Sequence, residues 1–67
     1  MSVAKVIEIN ASSKQGIEDA VQHGLRKAGE SVKKIKGAWI NEIKVVTADD
    51  GSVTEWRVNM KVNFVVD

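Results

Sequence analysis

The side chains that perform catalysis in most enzymes are sparse in this sequence. It has one histidine, His23, and no cysteine, and a single histidine cannot form a zinc site by itself. No nucleophile stands at a plausible spacing from a base. The carboxylates are scattered over separate predicted elements. They include Glu8, Glu18, Asp19 and Glu30. We therefore expect a protein that is not an enzyme, and we assign no catalytic and no metal-binding residues.

Trp39 and Arg57 have the chemistry to bind a flat aromatic molecule. An indole stacks on aromatic rings, and a guanidinium both stacks on them and donates hydrogen bonds to carbonyl oxygens. Both residues also have ordinary structural interpretations. Tryptophan is enriched at the centres of subunit interfaces, and Arg57 could instead pair with Glu55 or Glu42 across a subunit boundary. The residues alone leave these alternatives open.

A basic cluster of Lys33, Lys34 and Lys36 follows the predicted helix. It would suit the phosphate tail of a nucleotide flavin or of coenzyme A, although the favoured interpretation is a solvated helix end that matches the macrodipole. The net charge is only +1, so no global field attracts nucleic acid. No apolar run approaches the ~20 residues of a membrane span, and the start of the sequence lacks the apolar region of a signal peptide. We expect a cytoplasmic protein that binds neither nucleic acid nor a membrane.

The elements that position these side chains are clearest near the end of the sequence. From Trp56 onwards, apolar residues occupy every second position. This alternation predicts one strand over Val53–Val66 with an apolar face and a polar face. Trp56 belongs to the apolar face, which favours a core role. Arg57, Asn59 and Lys61 belong to the polar face, where lysine and asparagine either line a polar cavity or protect a sheet edge.

The first half of the sequence predicts a strand and a helix. Val3–Ile9 is rich in branched side chains, which is typical of a strand that stops before Asn10. Ser12 and Gln15 fit a capping box at the start of a helix. Apolar residues then recur with helical periodicity over Ile17–Val32. Gly24 lies on this apolar stripe, where the absence of a side chain would let the sheet approach closely.

A hairpin follows the helix. Ile35–Ala48 predicts a second strand, and the turn after it contains Gly51, which supplies the positive φ that a tight hairpin needs. The element order is therefore β-α-β-β. We expect an α+β fold in which a three-stranded antiparallel sheet wraps around one helix. Leu25 and Met60 lie mid-stripe on their elements and should be deeply buried.

The last predicted strand is too long for so small a protein to cover. It spans roughly 45 Å at ~3.3 Å per residue, whereas a helix of ~16 residues spans ~24 Å. The absence of cysteine excludes disulfides, so oligomerisation is the remaining way to stabilise this small fold. We expect a closed, symmetric assembly.

Three segments together resemble one known family. They are KVIEI with its Ser-Ser-x-x-Gly helix entry, the helix AVQHGLRKA and the closing strand EWRVNMKVNFVVD. In these segments the sequence resembles the dodecins, small flavin-binding proteins with a β-α-β-β fold that assemble into hollow dodecamers. The resemblance spans essentially the whole sequence. It implies that residues 1–67 form a single dodecin-like domain and that the protein is a homododecamer.

The resemblance also implies a flavin site. In dodecins, flavins stack in pairs between second-strand tryptophans of symmetry-related subunits, and a third-strand polar residue, commonly glutamine, holds the polar edge of the ring. The tryptophan position falls on Gly37 and the glutamine position on Arg57. Trp39 lies two residues after Gly37, on the same face but roughly 6–7 Å along the strand. We expect Trp39 and Arg57 to lie on the sheet face opposite the helix. The implied site therefore consists of Gly37, Trp39 and Arg57, with weaker binding than in relatives that have the tryptophan.

Two functions follow from this resemblance. The first is a storage protein that sequesters riboflavin, FMN or a lumichrome-like flavin within the dodecamer. The second is a structural shell protein without flavin, with metal ions or coenzyme A bound at its symmetry axes. The storage function requires Trp39 to occupy the space left at Gly37, whereas the shell function does not.

Overall fold

A computed structural model describes residues 2–67. It contains four elements in the order β1 (Val3–Ser13), α1 (Ile17–Ala28), β2 (Ile35–Thr47) and β3 (Val53–Val66). β3 lies in the middle of the sheet and pairs antiparallel with both β1 and β2. The predicted α+β class, the β-α-β-β order and the antiparallel sheet with one helix are confirmed, as are the bounds of β3.

β1 continues beyond its predicted end. Ser12 and Ser13, expected to interrupt the strand, instead pair with Arg57 and Trp56 on β3. The long central strand offers backbone partners to these residues, and paired N–H and C=O groups are more stable than unpaired ones. The predicted end of the strand at Ile9 is therefore wrong.

The chain enters α1 through Ser13. Its hydroxyl accepts a hydrogen bond from the backbone N–H of Gln15 at 2.9 Å and donates one to the Asp19 carboxylate at 2.6 Å. Gly16 occupies the N-cap position and has no side chain to contribute. The predicted capping box of Ser12 and Gln15 is wrong, because the extended β1 places Ser13, and not Ser12, on the helix side of the sheet.

α1 ends at Ala28, one turn before the predicted end at Val32. The chain must reverse here to begin β2, and it does so through Lys34, which has a φ of 60°. The Lys34 carbonyl accepts a hydrogen bond from the backbone N–H of Val65 at 3.1 Å. Pairing with β3 thus holds a left-handed conformation that is unfavourable for a residue with a side chain.

The core lies between α1 and the sheet. Met60 and Val62 of β3 are fully buried, which confirms the prediction for Met60. The helix presents small buried residues to them, namely Ala20, Gly24 and Ala28. A Cβ added at Gly24 would lie 2.8 Å from the Cβ of Ala11 and 2.9 Å from Cε of Met60. The close approach predicted at this glycine is confirmed.

Leu25 is only half-buried and packs at the margin of the core. The prediction that it is deeply buried is wrong. The small residues of the helix face the sheet directly, and Leu25 is displaced from Gly24 by about 100° around the helix axis.

The helix packs on β1 and β3 and leaves most of β2 uncovered. Ile40, Ile43 and Val45 therefore remain 47%, 54% and 39% exposed on the helix side of the sheet. The radius of gyration is 13.8 Å, compared with about 11 Å for a compact chain of this length. The accessible surface of 4970 Å² likewise exceeds the about 4,200 Å² expected for this mass. The subunit is elongated and has an uncovered apolar strip.

Candidate functional site

The residues predicted to bind a ligand all lie on the sheet face opposite the helix, which we call the outer face. Gly37 and Trp39 pair with Asn63 and Lys61 of β3, and directly paired residues share a face. Arg57 lies on the same face because it precedes Lys61 by an even number of residues. The prediction that Trp39 and Arg57 occupy the non-helix face is confirmed.

A β-bulge at Asn41 sets the register of the outer face. We call the sheet face toward the helix the inner face. Ile40 and Ile43 are three residues apart in β2, yet their inner-face partners in β3, Met60 and Val58, are only two apart. The extra residue keeps both isoleucines on the inner face. The bulge contributes to the irregular alternation of β2, together with register shifts between Ile35 and Gly37 and between Val46 and Thr47.

Trp39 and Arg57 are not neighbours within one protomer. The indole of Trp39 is 59% exposed and lies opposite Lys61. Arg57 is four residues from Lys61, which corresponds to about 13 Å of strand. Its Nε donates a hydrogen bond to Glu55 at 3.1 Å, which holds the guanidinium toward the β2–β3 turn and away from Trp39. One protomer therefore brings together Gly37 and Trp39, but not Arg57.

Arg57 forms its ion pair within the protomer. Of the two predicted alternatives, it pairs with Glu55 and not with Glu42. The Arg57 guanidinium holds the pKa of the Glu55 carboxyl below its ordinary value, and a hydrogen bond from the Ser12 hydroxyl adds to this shift. The pair borders a shallow groove of about 480 Å³ that crosses the three strands.

Asn59 joins the three strands across the outer face. Its Nδ2 donates to the Glu8 carboxylate at 3.0 Å and to Oδ1 of Asn10 at 2.9 Å, both on β1. Its Oδ1 accepts a hydrogen bond from Nδ2 of Asn41 on β2 at 2.9 Å. All polar atoms of the Asn59 side chain are thus engaged within the protomer, so this asparagine stabilises the sheet.

Lys61 and Asn63 surround the predicted stacking position, although the sequence did not single them out as ligand contacts. Oδ1 of Asn63 lies 3.4 Å from where a Cβ of Gly37 would be. Among residues 2–67, Lys61 forms no ion pair, and no other side chain hydrogen-bonds to the Asn63 amide. These two polar groups are free beside the exposed indole of Trp39.

The basic cluster after the helix is partly engaged in the protomer. The Lys34 ammonium pairs with the Asp67 carboxylate. Lys33 and Lys34 border a shallow cavity of about 360 Å³. The Lys34 ammonium therefore already has a carboxylate partner within the protomer, although this exposed ion pair contributes little to stability.

Two classes of feature are absent from the described part of the chain. Within residues 2–67, no three side chains of histidine, cysteine, aspartate or glutamate lie close enough together to hold a metal ion. No helix there is long and apolar enough to cross a membrane.

Comparison with solved structures shows close similarity to several dodecins. The dodecin of Streptomyces davaonensis is 26% identical, with a TM-score of 0.90 over 98% of this chain and 96% of that one. A mutant of the T. thermophilus dodecin is 27% identical, with a TM-score of 0.90 over 100% and 98% of the two chains. The calcium-chelating dodecin of Mycobacterium tuberculosis is 29% identical, with a TM-score of 0.79 over 92% and 87%.

A search among curated proteins gives no match. The family model named Dodecin, by contrast, matches residues 3–67, which is nearly the whole sequence. The order of the elements, the sheet topology and the similarity to solved dodecins agree with that match. The chain belongs to the dodecin family.

Proposed function

We propose that this protein stores flavin, sequestering riboflavin, FMN or a lumichrome-like flavin within a cytoplasmic homododecamer of single-domain subunits. The observation that carries the proposal is the exposed indole of Trp39 on the outer face. A large aromatic side chain left uncovered in such a subunit is suited to stacking on a flat ligand. The proposed activity is binding, without catalysis.

The shape of the subunit supports assembly. Ile40, Ile43 and Val45 form an apolar strip that α1 does not cover. Exposed apolar strips of this kind mark interaction surfaces, and a second copy of the chain would bury this one. Closed symmetry is the ordinary arrangement of such contacts, and membership of the dodecin family supports twelve copies.

The flavin ring would stack on Trp39 and extend over Gly37. Only Oδ1 of Asn63 lies within 4 Å of a Cβ position at Gly37, so space remains where related dodecins are expected to have their tryptophan. Stacking on one aromatic side chain contributes about 1–3 kcal/mol in nucleobase recognition. We therefore expect flavin to bind, but less tightly than between two tryptophans at that position.

Arg57 would contact the ring from another copy of the chain. Within one protomer it lies about 13 Å of strand away from Lys61, the partner of Trp39. Paired stacking between symmetry-related subunits would bring a second protomer to the ring. From there, the guanidinium could donate charge-assisted hydrogen bonds to ring carbonyl oxygens.

Fluorescence quenching of riboflavin and FMN tests this function. The parent protein should quench both, and Trp39→Ala should weaken binding by about tenfold, the lower part of the range that stacking supplies. Gly37→Trp should strengthen binding, because it restores the expected stacking residue. Trp56→Phe is the matched control, since Trp56 lies on the inner face. Absence of quenching by the parent at tens of micromolar flavin would refute the proposal.

Gly37 also favours a second candidate, a dodecin-like shell protein without flavin. Here Trp39 would pack against another subunit, and metal ions or coenzyme A would bind at symmetry axes, where several copies contribute one group each. The calcium-chelating relative lends support to the metal variant. For this candidate, Trp39→Ala should alter the assembled mass in light scattering, and calorimetric titration with calcium or coenzyme A should detect binding.

A further inference from the structure

Two cross-strand pairs stand side by side on the outer face, Trp39 with Lys61 and Gly37 with Asn63. We infer that Lys61 and Asn63 are the polar contacts of a ring stacked on Trp39, and that they select planar ligands with a carbonyl-rich or anionic edge over planar cations. This inference rests on the proposed flavin function, and it specifies which residues of the protomer would contact the polar edge of the ring.

The geometry of the sheet brings these groups together. Cβ atoms of directly opposed residues lie about 5 Å apart, and diagonal neighbours about 7–8 Å apart. The diagonal neighbours of Trp39 on β3 are Asn59, whose amide is fully engaged within the protomer, and Asn63. A three-ring ligand on Trp39 would therefore find free polar groups at Lys61 and Asn63. Arg57 lies beyond the diagonal neighbour, and its Nε is already bonded to Glu55. Within the protomer, the ring would meet Lys61 and Asn63 first.

The charge of Lys61 is available to a ligand. Glu8 lies opposite Lys61 on β1 and stays anionic while its carboxylate accepts a hydrogen bond from the Asn59 amide, but it forms no ion pair with Lys61. Among residues 2–67, Lys61 forms no ion pair. A lysine ammonium carries three donors on a flexible stem, so it attracts carbonyl oxygens and anions and repels cations.

Asn63 provides what an arginine lacks. Its amide has both a hydrogen-bond acceptor and donors, whereas a guanidinium has donors only. The edge of a flavin ring presents an imide N–H between two carbonyl oxygens, and reading it takes an acceptor as well as donors. Asn63 lies next to Gly37, where no side chain of β2 blocks it. The amide at position 63 thus compensates for arginine at position 57.

The experiment compares two planar probes, riboflavin and proflavine, a tricyclic cation without carbonyl groups. Dissociation constants are measured by fluorescence for the parent and for three variants, Lys61→Met, Asn63→Ala and Lys27→Met. Lys27→Met removes the same charge from an exposed position on the helix, on the other side of the sheet. Light scattering verifies that every variant keeps the parent's assembled mass.

Lys61→Met should weaken riboflavin binding about tenfold, as expected for loss of a hydrogen bond to a charged group. Proflavine binding should be unchanged or tighter, so the preference for riboflavin falls. Asn63→Ala should weaken riboflavin selectively, and Lys27→Met should retain the preference of the parent. If the parent binds riboflavin and Lys61→Met retains its preference, the inference is wrong and the flavin function stands. If the parent binds neither probe, both fail.

Discussion

Met60 fills the space between β3 and the helix, and its side chain has no exposure to solvent. Replacing it by alanine leaves a cavity beside Gly24, so we expect Met60→Ala to cost about 2–5 kcal/mol of unfolding free energy. Leu25→Ala should cost about 1–2 kcal/mol, because Leu25 is only half-buried. Urea denaturation at one fixed protein concentration measures both, since assembly shifts the apparent stability. Equal costs would contradict this description of the core.

Gly24 shows how a missing side chain can determine packing. In the interior of a helix, alanine is ordinarily favoured over glycine by about 1 kcal/mol. A Cβ at this position would nevertheless lie 2.8 Å from the Cβ of Ala11 and 2.9 Å from Cε of Met60. The flexible side chain of Met60 can move its Cε away, but the Cβ of Ala11 is bonded to the backbone and can move only if β1 moves.

We therefore expect Gly24→Ala to lower the thermal midpoint, against the helix propensity. Gly16→Ala is the matched control, because a Cβ at Gly16 would have no atom within 4 Å and its φ of 162° is extended. The control should change the midpoint little. A higher midpoint for Gly24→Ala would show that β1 can retreat from the helix.

At the scale of the elements, two ionised carboxylates accept hydrogen bonds in the β2–β3 hairpin and contribute to its stability. Asp50 accepts hydrogen bonds from the backbone N–H and the hydroxyl of Ser52, at 2.9 and 2.7 Å, and these lower the pKa of its carboxyl. The ion pair with Arg57 lowers the pKa of Glu55. A lowered folded-state pKa means that this stabilisation is complete above the unfolded value and is lost as pH falls through the folded value.

We expect stability to decrease as the pH falls below about 4.5, the ordinary value for glutamate. Asp50 is exposed and Glu55 is partly exposed, so the decrease that they cause should be small. Urea midpoints measured at a series of pH values should fall less steeply for the double variant Asp50→Asn, Glu55→Gln. NMR titration of the two carboxyls provides the direct test, and a pKa at or above the ordinary value for either would contradict the described hydrogen bonds.

The elements differ in how far the sequence determines them. The alternation in β3 is local and is broken only at Val65, and together with the turn before Val53 it predicts both ends of that strand. The end of β1 at Ser13 depends on partners supplied by β3, and the end of α1 depends on the reversal at Lys34. Neither partner is adjacent in sequence, so local patterns predicted the strand too short and the helix too long.

In the candidate site, too, some features are determined by local sequence and others by partners that are distant in sequence. The sequence predicts Trp39 on the outer face, because its position in the strand pattern is visible there. Its partner Lys61 was not singled out, because pairing depends on the register between β2 and β3. That register includes the bulge at Asn41, which the sequence indicates only as irregular alternation.

At the scale of the whole molecule, the single chain covers only part of the inner face of its sheet. The helix covers β1 and β3, whereas Ile40, Ile43 and Val45 on the same side of β2 remain exposed. A longest extent of 53 Å against 19 and 14 Å gives the subunit a large surface for its mass. Both features are expected of a chain that completes its core against copies of itself.

Ile43 tests this conclusion because it is the most exposed of the three residues, at 54%. If another subunit covers it, Ile43→Glu places a charge in an apolar contact without a partner, which is strongly unfavourable. We expect Ile43→Glu to shift the protein from the assembled mass to smaller species in light scattering at micromolar concentration. Its denaturation midpoint should fall with the loss of assembly. Ile43→Leu, which keeps the volume and polarity, should retain the parent's mass. If Ile43→Glu retains the parent's mass, β2 does not form the interface, and if the parent is itself a stable monomer, the assembly is absent.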